Sequence, residues 1–131
     1  MINFLVDYNL DGYAPAFLGI LAKNGWLDIL PISFVTFKET ELSMDSSDRT
    51  LWCFAQSNQM IILTANRNMK GKNSLEQIIR EENTANSLPV VTIGNIERLD
   101  EFNYRERCVD KMIEIALDIE NYRGVGRLFI P

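Results

Sequence analysis

MIILTANRN, residues 60–68, is an apolar run that gives way abruptly to polar side chains. Met60, Ile61, Ile62 and Leu63 show no alternation, as in a strand covered on both faces, and Thr64 to Asn68 supply side chains able to hold a ligand. In an open α/β sheet, ligands sit at the carboxyl ends of the strands, where this polar segment falls. Immediately upstream, SSDRTLWCFAQSNQ (46–59) reads as a helix, with Ser47 or Asp48 as its cap and Leu51, Trp52 and Ala55 on its buried face.

Working outward, Asn3 to Asp7 reads as a first strand, with Phe4, Leu5 and Val6 buried and a charge, Asp7, at its carboxyl end. Asn9 or Asp11 is a candidate cap for a following helix whose Ala14, Phe17, Leu18 and Leu21 fall at helical spacing, and Gly25 suits its left-handed termination. Leu27 to Ile32 reads as a weakly defined strand in which Pro31 marks an edge position or an early stop, and Ser33 to Asp45 as a loop carrying Glu39, Glu41 and Asp45. Downstream, Asn73 and Glu76 match a capping box for a helix to about Asn83, with Leu75, Ile78 and Ile79 as its stripe. PVVTI (89–93) is another buried strand, followed by a polar segment with Glu97 and Asp100. Tyr104 to Tyr122 reads as the longest helix, with Val109, Met112, Ile113, Ala116 and Ile119 along one face. The tail GVGRLFIP (124–131) suits an edge strand or a partner contact. Alternating strands and helices imply a mostly parallel sheet with helices on both faces.

The chain of 131 residues has the length of one domain, 1–131, and its 47% hydrophobic and 24% charged residues are those of an ordinary globular protein. No apolar run is long enough to span a bilayer, and INFLVD lacks the features of a signal peptide, so the expected location is cytoplasmic, with no membrane partner. Histidine is absent, which excludes His-dependent triads and His-ligated zinc. Cys53 and Cys108 stand alone, without a disulfide or zinc pattern, and Cys53 is expected in the core. A net charge of -5 argues against broad, unspecific nucleic-acid binding. Chemistry in this chain therefore rests on carboxylates, a metal or a lysine. A parallel sheet would bring Asp7, the segment 64–68 and the segment 94–100 to one edge, with Asp48 beside Asp7. Converging carboxylates are the usual oxygen donors for Mg²⁺ or Mn²⁺. Asp48 equally suits a helix cap, and Asp7 a turn.

FLVDYNL (4–10), SDRTLWCFA (47–55) and IILTANRN (61–68) together resemble the short prokaryotic PIN-like family found in toxin-antitoxin systems, whose D-E-N-L, S-D-x-x-I-W-x-x-A and V-T-x-D-x-D-F segments follow in this order. The resemblance covers roughly the first seventy residues, and PVVTIGN fits the family's last core strand less specifically. It implies a three-layer α/β/α PIN-like fold with a mostly parallel central sheet, and a hydrolase that cleaves RNA with divalent metal. Asp7 corresponds to the first acidic residue, Asn9 to the neighbouring Asn, and Asp48 to the acid that opens the central helix. Tyr8 stands where the family commonly has Glu, and Asn66 and Asn68 where it has Asp.

An amide can ligate a hard cation but brings no charge, so the resemblance implies a nuclease of weakened or lost activity. Its expected metal ligands are Asp7, Asp48, Asn66 and Asn68, with Asp7 and Asp48 catalytic, Mg²⁺ or Mn²⁺ as the cofactor, and Asn9, Thr64 and Arg67 on the substrate. Glu41, Asp45, Glu97 and Asp100 are candidates for replacing the missing acids. The alternative is a non-catalytic module of the same fold that binds RNA, a nucleotide or a protein. Expected partners are single-stranded RNA and either an antitoxin-like protein or a second copy docked on the C-terminal tail.

Overall fold

The structure, a computed structural model, describes residues 2–66 and 74–131. Among the described residues, five strands, β1 (Ile2–Val6), β2 (Ile32–Val35), β3 (Met60–Thr64), β4 (Val90–Ile93) and β5 (Arg127–Ile130), form one sheet in the order β2-β1-β3-β4-β5. Every pairing is parallel. The described residues between them form four helices of two turns or more: α1 (Ala14–Lys23), α2 (Asp48–Ser57), α3 (Leu75–Glu82) and α4 (Phe102–Leu117). The three central strands carry the continuous apolar runs, because both of their faces are covered.

The two faces have separate cores. Phe4, Val6, Ile61, Leu63, Val91 and Ile93 pack with Phe17 and Leu21 of α1 and with Val109, Met112 and Ile113 of α4. The alternate residues Leu5, Ile62 and Val90 pack with Leu51, Trp52 and Ala55 of α2 and Leu75, Ile78 and Ile79 of α3. The result is a three-layer α/β/α arrangement with a mostly parallel sheet, here wholly parallel, as the alternation of elements implies. Among the described residues no helix is long and apolar enough to cross a membrane.

Several boundaries differ from those expected. Leu27 lies in a 3₁₀ turn, Trp26–Asp28, entered through Gly25 at φ 77, and the edge strand begins only after Pro31, at Ile32. The supposed loop 33–45 therefore contains most of β2 and a second 3₁₀ turn, Phe37–Glu39. Neither Asn9 nor Asp11 caps α1. Asp7 caps a 3₁₀ turn over Tyr8–Tyr13, and α1 follows without a side-chain cap. That turn shifts the apolar face, so Ile20 is buried and Leu18 is exposed. Cys53 is exposed on α2, not in the core, whereas Cys108 is buried. The cap of α3 is Ser74, whose hydroxyl accepts from the Gln77 N–H at 3.2 Å; Asn73 lies outside the described residues. The long helix stops at Leu117, and a 3₁₀ turn, Ile119–Asn121, takes over its expected last turn.

Candidate functional site

The alternation that buries Leu5, Ile62 and Val90 under α2 and α3 puts the residues two positions further along on the same face. These are Asp7, Thr64 and Thr92, at the carboxyl end of the sheet. The Asp7 N–H donates to the Leu63 carbonyl at 2.9 Å and so extends the β1–β3 ladder to the acid. Its carboxylate accepts on both oxygens, from the Tyr8 N–H at 2.8 Å and from the Thr64 hydroxyl at 2.7 Å. Thr64 in turn accepts from the Asn66 N–H at 3.0 Å, which turns the chain sharply out of β3. Each oxygen of Asp7 keeps a further lone pair for a ligand.

Asp48 reaches the same place from the other side. Ser47 caps α2 by accepting from the Thr50 N–H at 3.1 Å, so Asp48 is the first residue of the helix proper, in the favourable field of its N-terminus. The side chain of Asn66 donates through Nδ2 to Asp48 Oδ2 at 3.4 Å. Burial pushes the Asp48 carboxyl above its ordinary 3.8, and the charge of Asp7 pushes in the same direction. The Asn66 bond, the backbone N–H of Leu75 at the start of α3, and Arg127 oppose the shift. Asp7 and Asp48 line one crevice of about 420 Å³ together with Tyr8, Asn9, Phe37, Met44, Ser46, Leu51, Ala65, Asn66 and Ile96. A slightly larger hollow of about 470 Å³, lined by Gly12, Leu18 and Phe34 among others, lies beside α1 and β2 and is mostly apolar.

A buried cation lies behind the site. Gly124 and Gly126, at φ 83 and 91, bend the chain into β5, and Arg127 opens that strand opposite Val90. Its guanidinium donates from Nη1 to the Thr92 hydroxyl at 2.7 Å and to the Asn66 carbonyl at 2.9 Å, and from Nε to Glu76 at 3.0 Å. The Arg127 side chain is only 5% exposed and that of Glu76 19%, so this pair is screened far less than the surface bridges of Arg49 to Glu81 and Glu82.

Of the expected site residues, the structure brings Asp7, Asp48 and Asn66 together and puts Asn9 on the crevice wall. Thr64, expected against substrate, is fully buried and instead holds Asp7 in place. Arg67 and Asn68 lie outside the described residues. Glu97 lines an adjoining hollow, Asp100 accepts from the Tyr13 hydroxyl at 2.9 Å, and Glu41 and Asp45 lie outside the crevice lining. Arg127, Glu76 and Thr92 complete the network and were not anticipated. Their only signal in the sequence is a charge opening the apolar run RLFI, and a Thr recurring near the end of two buried strands.

Among the described residues no three or more His, Cys, Asp or Glu side chains gather as a metal cluster. Asp7 and Asp48 nevertheless meet the minimum for Mg²⁺, which is commonly held by one or two carboxylates with water completing its shell. Compared with protein-family models, with curated proteins and with solved structures, the chain matches none.

Proposed function

We propose that this chain is a PIN-like domain with a weak divalent-cation site on Asp7 and Asp48, acting as a low-activity, metal-dependent endoribonuclease on single-stranded RNA. The observation that carries the reading is the meeting of these two acids, from β1 and α2, in one open crevice at the carboxyl edge of a parallel sheet. A bound Mg²⁺ or Mn²⁺ supplies the Lewis acidity that orients a phosphodiester and activates water. The protein's part is to fix the carboxylates: Thr64 and the Tyr8 N–H hold Asp7, and Asn66 with the start of α3 holds Asp48. Two carboxylates attract a cation less than three or four, which is why the expected activity is low.

One observation favours a binding module without cleavage. The Asn66 amide satisfies Asp48 by donating to it, doing without charge what a metal would otherwise do. A toxin-antitoxin role would require a protein partner, for which the half-exposed Val125 and Phe129 at the β5 edge are the proposed contact.

Cleavage of labelled single-stranded RNA in Mg²⁺ and in Mn²⁺, with Asp7→Asn as the control, separates the two readings. Metal-dependent cleavage that disappears in the control establishes the nuclease. Metal-dependent binding of intact RNA leaves the binding module.

A further inference from the structure

We infer that Tyr8 is a stacking platform for an unpaired base next to the phosphate held at Asp7 and Asp48, so that the crevice selects single strands over duplexes. The inference rests on the reading of the crevice as an RNA site and adds to it the element that recognises the substrate.

Three features carry it. First, Tyr8 adjoins the acid: its backbone N–H donates to Asp7 Oδ1 at 2.8 Å, and both residues line the crevice. Second, the ring is available yet braced. It is 45% exposed, and it leans on the buried Phe37 with ring centroids 6.2 Å apart and planes at 58°. A ring held from behind gives up little freedom when a base stacks on its open face. Third, the crevice continues. It shares Ala65 and Ile96 with a second hollow of about 350 Å³ lined by Gly94, Asn95 and Glu97, which leaves room for a chain longer than one nucleotide.

The electrostatics agree with a stacked strand held through a cation. Among the described residues the lining of both hollows has Asp7, Asp48 and Glu97 but no Lys or Arg. These carboxylates repel a phosphate, so a phosphate beside them calls for a cation in between. A divalent cation would supply that link, and an aromatic face adds apolar contact for any unpaired base. Bases in a duplex are already stacked on one another and cannot use it.

The test is fluorescence anisotropy of a labelled ten-nucleotide single-stranded RNA in Mn²⁺, with recovery of intact strand checked on a gel. Wild type is compared with Tyr8→Ala, Tyr8→Phe and Tyr8→Trp, and with the same sequence as a duplex. Tyr8→Ala should weaken binding of the single strand by about 5- to 150-fold, the range for removal of one base–aromatic stack. Tyr8→Phe and Tyr8→Trp should bind within about threefold of wild type, because both keep a π face, and the duplex should bind more weakly than the strand. Melting curves confirm that each variant is folded. Equal binding by Tyr8→Ala and wild type overturns the platform while leaving the RNA site intact, and so does loss of binding in Tyr8→Phe, which would assign the role to the hydroxyl. A wild-type protein that binds no RNA with Mn²⁺ overturns the RNA reading and the platform together.

Discussion

The guanidinium of Arg127 donates to the backbone carbonyl of Asn66 across 2.9 Å, linking the last strand of the sheet to the turn that leaves the central one. The same Nη1 reaches Thr92, and Nε reaches Glu76 on α3, so one side chain ties β3, β4 and α3 together behind the crevice. Asn66 can present its amide to Asp48 only while its backbone is held there. Arg127, together with the Thr64 hydroxyl, thus positions the amide that meets Asp48 at the start of α2.

Replacing Arg127 by Met should destabilise the protein by about 3 kcal/mol, since Glu76 is left largely buried with only Arg80, 3.9 Å away on the same helix, as a counter-charge. The double variant Arg127→Met/Glu76→Leu should recover most of that loss, because two apolar side chains need no pairing. Arg127→Lys should recover little, as an ammonium cannot reproduce the fork that serves three acceptors. Urea denaturation of wild type, Arg127→Met, Glu76→Leu and the double variant measures the cycle, with Arg127→Lys alongside. Additive effects would show that the two side chains do not depend on each other.

Asn66→Asp should trade stability for cation affinity. The new carboxylate would lie about where the amide now donates to Asp48, turning a hydrogen bond into repulsion between like charges in a partly buried crevice. The metal-free variant should therefore melt lower than wild type. Its affinity for Mn²⁺ should rise by about tenfold, since ligand charge count sets the strength of such sites. Titration calorimetry and melting curves with and without Mn²⁺ give both numbers. A variant as stable as wild type and indifferent to Mn²⁺ would show that residue 66 does not face the cation.

Residues read from sequence succeeded where one physical signal was dominant. The runs IILT (61–64) and PVVTI are buried on both faces, and Leu51, Trp52 and Ala55 face the core as their spacing requires. The sequence fails where two signals compete. Apolar Leu27 looks like strand, but Gly25 redirects the chain into a tight turn and Pro31 delays pairing until Ile32. Asp11 looks like a helix cap, yet Asp7 takes that role one turn earlier because its carboxylate is already anchored at the sheet edge. Within the site, Asp7, Asp48 and Asn66 are each marked by a local motif. Arg127 is not, because its importance comes from partners 61, 51 and 35 residues away in the chain. No periodicity reports a contact of that kind.

The raised pKa of Asp48 fixes a sign for the pH dependence. Its carboxyl binds a proton more readily in the folded chain than in the unfolded one, so between 3.8 and the raised value the folded state carries more proton. Its contribution to stability is therefore best below this window and is lost as pH rises through it. Asp48→Asn removes the titration. Measured by urea denaturation, the variant should gain on wild type as pH rises from about 3.5 to 6.5, provided no divalent cation is present. A stability difference independent of pH, or one that grows in favour of wild type, would contradict the assignment of burial as the leading cause.

The C-terminal segment is part of the sheet, which changes how its role in association has to be tested. Deleting 125–131 would remove the whole of β5, the buried Ile130 and Arg127, and should unfold the protein. A change in mass after such a deletion would say nothing about a partner. Val125 and Phe129 are each half exposed at this edge, and replacing both by Ser should leave the sheet paired. The intramolecular losses are the half-buried area of the two side chains and the contact of Phe129 with the Arg127 guanidinium, 5.8 Å from the ring centre and worth about 0.5–1 kcal/mol. If this edge joins two copies, wild type should sediment above the 15.1 kDa of one chain at high concentration and the double variant should not. A wild-type mass of one chain at every concentration would eliminate self-association and leave a different protein as the only candidate for that edge.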